Sequence, residues 1–395
     1  MATDSPAPRT VSTRSGTVRM RLALVLMATL VPALAAEAYV RIRYRDTDLW
    51  ALTGRKFARS HTAEWAFPDA FSAYRGRPGR YRTTTDKSVN SHGFISTPEL
   101  SVAKPAGTIR IAFLGESSTA GVGRALADAD ADTWPWRVTE MLRQRLPATK
   151  LELINAALGG YTTFESYGRL WSRVRFFSPD IVVVYHGWNE MNYFDSVDQM
   201  TSWRTLADGS WGLDPPRQLA LYKPLWIDYL VRPSQLLTRL RMRLSAPPDA
   251  EVGAAKKLER SYDRRALEIF RTNLRLIRQA ADLFGARLFV AKQATLIVPG
   301  LDERFRAPIR YEFHGFDHDA HVAAFEAIYQ VIDQEIDPDY VIDVTPLSGI
   351  PENFHDHIHP TPAGLRGIAE IVTDALEPHI RRQTSNPGEV PSATH

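Results

Sequence analysis

The chain contains no cysteine among its 395 residues. That absence excludes disulfides, thiolate-ligated zinc, a thiol nucleophile and the lipidated cysteine of a bacterial lipoprotein. Charge of one sign is also scarce, since 48 Lys and Arg face 45 Asp and Glu, an excess of only +3. Basic residues fall in short clusters such as Arg239, Arg241 and Arg243, without the long run a polyanion demands. No nucleic-acid partner is expected. No internal repeat is visible.

Long uncharged runs are few, and one stands near the N-terminus. Arg9, Arg14, Arg19 and Arg21 precede a stretch from Leu22 to Ala36 whose only helix-unfriendly residue is Pro32. Continued to Val40 it reaches about 19 residues, enough to cross roughly 30 Å of hydrocarbon, but only by taking in Glu37. The cationic flank should hold this end in the cytoplasm and place everything downstream outside. A single-pass protein of the cell inner membrane is expected, its main domain periplasmic or extracellular. Ala33-Leu34-Ala35 also fits a signal-peptide cleavage site, so a cleaved segment competes with a retained anchor, and the anchor is the preferred reading.

The remainder alternates strands and helices. Ile109 to Leu114, Leu151 to Ile154, Ile181 to Tyr185, Arg287 to Ala291 and Tyr340 to Val344 read as five short buried strands. Asp132 or Thr133 can cap a helix with Pro135 in its first turn. Leu267, Phe270, Leu274 and Ile277 line a helix that stops at Gly285, another covers about Asp317 to Ile336, and Thr361 caps the last. The alternation predicts an α/β fold, a three-layer α/β/α sandwich on a mostly parallel five-stranded sheet, with its site beyond the strands' carboxyl ends. The expected division is a basic tail at 1–21, the anchor or signal segment at 22–40, a polar lead-in at 41–105, the main domain at 106–382 with an insertion at 195–260, and a disordered tail at 383–395. Within the insertion, Leu219 to Leu244 is apolar but interrupted by Lys223, Asp228 and Arg232. It reads first as a cap on the main domain and second as a membrane-surface element.

Four segments carry candidate chemistry. Gly115-Glu116-Ser117-Ser118-Thr119 follows the first strand, where a serine on a tight turn is exposed with its own N–H facing a substrate carbonyl. A helix cap or a phosphate loop is the competing reading, although Arg124-Ala125 stands where a phosphate loop needs Lys-Ser/Thr. Asp356-His357-Ile358-His359-Pro360 follows the fifth strand. A hydroxyl needs a base to take its proton, and the imidazole needs a carboxylate to fix its tautomer, so Asp356 and His359 on one turn supply both. The alternation of His355, His357 and His359 leaves a metal site as a minor alternative. Acyl transfer also needs donors for an oxyanion. Leu158-Gly159-Gly160-Tyr161-Thr162 offers a closely approachable backbone N–H, and Gly187-Trp188-Asn189-Glu190 offers the Asn189 amide.

These four blocks, in this order, resemble the SGNH hydrolases, also called GDSL-like esterases and lipases, over about residues 108–380. The resemblance implies Ser117 as nucleophile, His359 and Asp356 as its partners, and Ser117, Gly160 and Asn189 as the oxyanion hole. It implies a serine esterase forming an acyl-enzyme, with an ester substrate and no metal or organic cofactor. Glu116 and Glu190 stand where the family pattern has Asp, which bears on loop bracing more than on chemistry. Asn90-Ser91-His92-Gly93-Phe94 looks like a segment of membrane-anchored members. From location, O-acyl groups of envelope saccharides are the expected substrate. An O-acetyltransferase of exopolysaccharide assembly and a non-catalytic envelope scaffold stay open as alternatives.

Overall fold

The computed structural model describes residues 14–43, 66–81, 86–121, 129–194, 226–231, 233–244, 258–262, 264 and 267–385. The expected linker near Ser245 to Ala255, most of the 195–225 stretch and the tail beyond Ser385 lie outside the described residues. The chain divides into two compact units, 1–57 with 222–248, and 58–221 with 249–395.

In the larger unit two short antiparallel pairs precede the core: β1 (Ala66–Asp69) with β2 (Ala73–Gly76), and β3 (Gly79–Arg80) with β4 (Ser88–Val89). Five parallel strands follow: β5 (Thr108–Gly115), β6 (Lys150–Asn155), β7 (Ile181–His186), β8 (Arg287–Lys292) and β9 (Val341–Asp343), in the order β6-β5-β7-β8-β9. Each expected strand is present within one residue at either end. Every residue of β5 and β7 is buried, as apolar runs covered on both faces should be. The order reverses at β5, whose neighbours β6 and β7 leave in opposite directions, so its carboxyl end opens at the topological switch point. Ser117 stands there.

The helices form where the sequence places their signals. Helix Trp134–Arg145 begins with Pro135 in its first turn and sets Trp134 edge-on against Phe113 and Tyr185, centroids 5.2 and 5.5 Å away. Asp317 caps helix His318–Glu335 by accepting the Ala320 N–H at 2.9 Å. Helix Pro362–Ser385 runs past the expected domain end at 382. The polar residues there return to the helix: the Thr384 and Ser385 hydroxyls donate to the carbonyls of Ile380 and Arg381.

The lead-in was expected outside the core, and its described part corrects that. Tyr74, Tyr81, Val89, Phe94 and Ile95 are all buried. Asn90 turns the chain by accepting the His92 and Phe94 N–H groups on Oδ1 at 3.1 and 3.0 Å. Phe94 then enters the core against Phe177, and the buried Arg169 lies over its ring at 5.0 Å while donating to the Gly93 carbonyl. The Ile95 N–H donates to the carbonyl of Asn155 at the end of β6, and Thr97 Oγ1 accepts the Asn155 N–H. Short polar segments hide this docking in the sequence, because their few apolar residues follow turns rather than a period.

The smaller unit contains helix Arg14–Arg43, of which Arg19–Arg43 is long and apolar enough to cross a membrane. Helices Trp226–Val231 and Gln235–Leu244 fold in the same unit. This part of the insertion was expected to cap the main domain. Within that unit, Glu37 and Arg41 of the long helix bond to Pro233, Ser234, Gln235 and Leu236.

Candidate active site

Ser117 opens a single helical turn, Ser117–Ala120, directly after β5. Gly115 makes the turn possible, since a Cβ there would lie 2.2 Å from Thr119 Oγ1. The turn closes with the Gly121 N–H on the Ser117 carbonyl, Gly121 taking the left-handed φ of 66°. Within Gly115 to Gly121 Ser117 alone is not fully buried. Its N–H stands at the first position of the turn, where a helix offers no intrahelical acceptor.

The last block meets it. His359 Nε2 lies 2.8 Å from Ser117 Oγ, and His359 Nδ1 lies 2.7 Å from Asp356 Oδ2. With Nδ1–H donating to the carboxylate, Nε2 is left to accept the serine proton. Asp356 is held by its own turn, its Oδ1 accepting the Ile358 and His359 N–H groups at 3.0 and 2.9 Å. Burial would raise this carboxyl, but the hydrogen bond and charge of His359 outweigh it and hold Asp356 well below the usual carboxylate range. Sequence placed these three residues together, and the structure joins them directly.

Of the two expected oxyanion residues beyond Ser117, Asn189 is tied to the same place by bonds. Asn189 donates one amide hydrogen to the Tyr161 carbonyl at 3.0 Å, which leaves its second hydrogen. The Asn189 N–H donates to Glu116 Oε2 at 3.0 Å, so the asparagine is tethered to the residue beside Ser117. Gly160 is exposed, with φ of 83°, and a Cβ there would lie 2.7 Å from the Tyr74 hydroxyl. A side chain is therefore refused by both backbone and space. Behind it Thr162 and Glu165 form a capping box that starts helix Thr163–Ser172, and Glu190 accepts the Thr163 N–H and hydroxyl at 2.7 and 3.0 Å. The two glutamates that depart from the family pattern thus brace the loops.

Two features escaped the sequence reading. Gln293, just past β8, donates to Glu116 Oε1 and to Ser118 Oγ, and its Oε1 accepts the Trp188 N–H at 2.7 Å. The end of the fourth strand was the only strand end before the site left without an assigned group, and that gap was the available signal. Burial pushes the Glu116 carboxyl up to about 7, against the lowering bonds from Gln293 and Asn189. Replacing Gln293 by Ala leaves Glu116 and the Trp188 N–H each short of a partner. A fall of about 10- to 100-fold in kcat is expected, with KM little changed, since a lost hydrogen bond to a charged group is worth about 1.5–3 kcal/mol. A rise in KM at constant kcat would contradict this positioning role.

The second missed feature is a buried histidine group. Trp188 packs between His357, His314 and His321, centroids 3.8, 4.1 and 5.2 Å away. His321 Nδ1–H donates to the Asp317 carbonyl, so its Nε2 accepts from His314 Nδ1 at 3.2 Å. The alternating histidines of the last block therefore diverge, His355 exposed, His357 in this stack and His359 on Ser117.

The profile of the GDSL-like Lipase/Acylhydrolase family matches residues 113–366, well over half of the chain. The chain belongs to that family. As a GDSL-like acylhydrolase it is a serine hydrolase acting on ester bonds. A GDSL-like lipase from Bacteroides thetaiotaomicron overlays 71% of this chain and 93% of its own, with 12% identity and a TM-score of 0.38. An acetylxylan esterase from Geobacillus stearothermophilus overlays 68% of this chain and 95% of its own, with 12% identity and a TM-score of 0.39. No curated protein matches this GDSL-like chain.

Proposed function

We propose that this protein is a membrane-tethered serine esterase working outside the cytoplasmic membrane through an acyl-enzyme, on O-acyl groups of envelope saccharides. The observation that carries the chemistry is the unbroken chain from Ser117 Oγ through His359 to Asp356, at 2.8 and 2.7 Å. As Ser117 Oγ attacks the ester carbonyl, His359 Nε2 takes its proton and Asp356 stabilises the imidazolium. The N–H groups of Ser117 and Gly160 and the free amide hydrogen of Asn189 receive the oxyanion charge. His359 then returns the proton to the departing alkoxide, and the acyl group stays on Ser117. Water, deprotonated by the same imidazole, attacks the acyl-serine and releases the acid.

The location rests on the N-terminus. Arg19 and Arg21 begin the apolar helix, with Arg9 and Arg14 before them, and a cationic N-terminal flank of this kind supports placing residues beyond Arg43 on the outer side. O-acylated envelope saccharides are the class of ester on that side that we assign to Ser117. The test is the full chain in detergent with an O-acetylated oligosaccharide, followed by mass spectrometry. Loss of acetyl groups as free acetate is expected. Acetyl groups moved intact onto an added unacetylated saccharide, with no free acetate, would replace the hydrolase by a transferase. Absence of both, with p-nitrophenyl acetate still cleaved, would reject the saccharide.

A further inference from the structure

Glu37 is a carboxylate inside the stretch Arg19–Arg43, where an unpaired charge is costly. Both its oxygens are used. Oε1 accepts the Gln235 N–H at 2.9 Å, and Oε2 accepts the Leu236 N–H at 2.8 Å and the Ser234 hydroxyl at 2.7 Å. Ser234 Oγ in turn accepts the Leu237 N–H at 3.0 Å. Three of the four N–H groups that open helix Gln235–Leu244 are satisfied by this pair. Arg41, one turn further along, bonds Glu37 Oε1 at 2.6 Å and the Pro233 carbonyl. Ala36, Glu37 and Val40 lie on one helical face and are the half-buried residues of the stretch Arg19–Arg43, whose other residues are exposed.

This attachment fixes a depth. Glu37 lies six residues before Arg43, about 9 Å along the axis at 1.5 Å per residue. The start of helix Gln235–Leu244 is thereby held that far inside the helix end, which matches the roughly 5–10 Å at which interfacial helices seat their apolar face. The helix pair has such a face. Trp226 is 72% exposed and Leu230, one turn on, 64%, while Leu237 and Leu240 are 47% and 49% exposed. Thr238 is buried and ties the two helices, its hydroxyl donating to the Val231 carbonyl. Helix Gln235–Leu244 carries no acidic residue, and helix Trp226–Val231 carries one, Asp228.

We propose that helices Trp226–Val231 and Gln235–Leu244 lie in the headgroup region of the membrane, clamped by Glu37 to a retained anchor. Trp226, Leu230, Leu237 and Leu240 face the acyl chains. The proposal rests on the anchor reading and is independent of the ester chemistry. It also gives Glu37 a structural reason to sit in an apolar stretch.

The chain's lack of cysteine makes the test direct. Single substitutions Trp226→Cys, Leu230→Cys, Leu237→Cys and Leu240→Cys carry an environment-sensitive fluorophore in the full chain, reconstituted in phosphatidylcholine–phosphatidylglycerol vesicles. Quenching by shallow doxyl lipids with protection from aqueous iodide is expected at all four sites. Iodide quenching without doxyl quenching would overturn the proposal, as would protection from both quenchers with energy transfer between labelled copies, which denotes a second chain. Glu37→Ala, in the background of each label, should exchange doxyl for iodide quenching at 237 and 240 while thermal unfolding of the larger unit stays unchanged. Unaltered quenching would reject the clamp. Intact mass of the membrane-extracted protein should include residues 22–40, and cleavage after Ala35 would reject the retained anchor on which the clamp depends.

Discussion

Ser117→Ala is expected to lower kcat for p-nitrophenyl acetate by on the order of 10⁴- to 10⁶-fold and to abolish labelling by a fluorophosphonate probe. The hydroxyl lies 2.8 Å from His359 Nε2, and no other serine of the turn is accessible to replace it, since Ser118 is buried and bonded to Gln293. His359→Ala should lose nearly as much, because the two groups act as one unit and their losses do not add. The double variant should therefore be no worse than either single one. Comparable folding is checked by unfolding midpoints, and removing a half-buried hydroxyl should leave these within a few degrees. Full labelling of Ser117→Ala would remove the nucleophile assignment, and additive losses in the double variant would separate the imidazole from the serine.

Acid should weaken the fold well above the pH at which surface carboxylates protonate. Burial holds His321 down at about 4 and His357 at about 3, and sets His314 well below the ordinary value of 6.5. Above pH 6.5 these imidazoles are neutral in both folded and unfolded chains, and their contribution is fully present. Below it the unfolded chain takes up protons that the buried rings refuse, so stability falls progressively toward the folded values. Glu116 works in the opposite direction. Its folded value of about 7 means that the folded chain gains stability from it as pH falls from 7 toward 4.5. Three imidazoles against one carboxyl leave a net loss of several kcal/mol, since each shifted unit is worth about 1.4 kcal/mol. Calorimetry should show the unfolding midpoint dropping by about 10 °C between pH 7.5 and pH 5. His321→Phe, which keeps a ring beside Trp188, should flatten that slope. A midpoint that rises on acidification would show that these rings do not govern it.

Much of this architecture was legible because it depends on local pattern. The five strands are short, mostly apolar runs ending in glycine or polar residues, interrupted only by Arg110 in β5 and Glu152 in β6, and Pro135 and Pro362 mark helix starts that only a first turn tolerates. Ser117, Asp356 and His359 were legible because a nucleophile, base and carboxylate must lie past strand ends, and few residues qualify. Gln293 was not, because a buried glutamine is recognised by its partners, and those come from two separate loops, Glu116 with Ser118 and Trp188. The histidine stack escaped for the same reason, with Trp188, His314, His321 and His357 brought together only by tertiary packing. Glu37 looked like an interruption of the apolar run, and its bonds lie nearly two hundred residues away.

Tyr74 has a consequence for how this catalytic core can be inherited. Its hydroxyl reaches the Gly159 carbonyl, its ring meets Tyr161 edge-on at 5.1 Å, and its carbonyl accepts the Tyr161 hydroxyl. A support of the Gly159–Tyr161 loop is thus encoded some forty residues upstream of the stretch that the family profile matches from residue 113. Recombination that moved only that stretch onto another carrier would leave the glycine loop unsupported, so the hairpin and the hydrolase must travel together as a single genetic cassette.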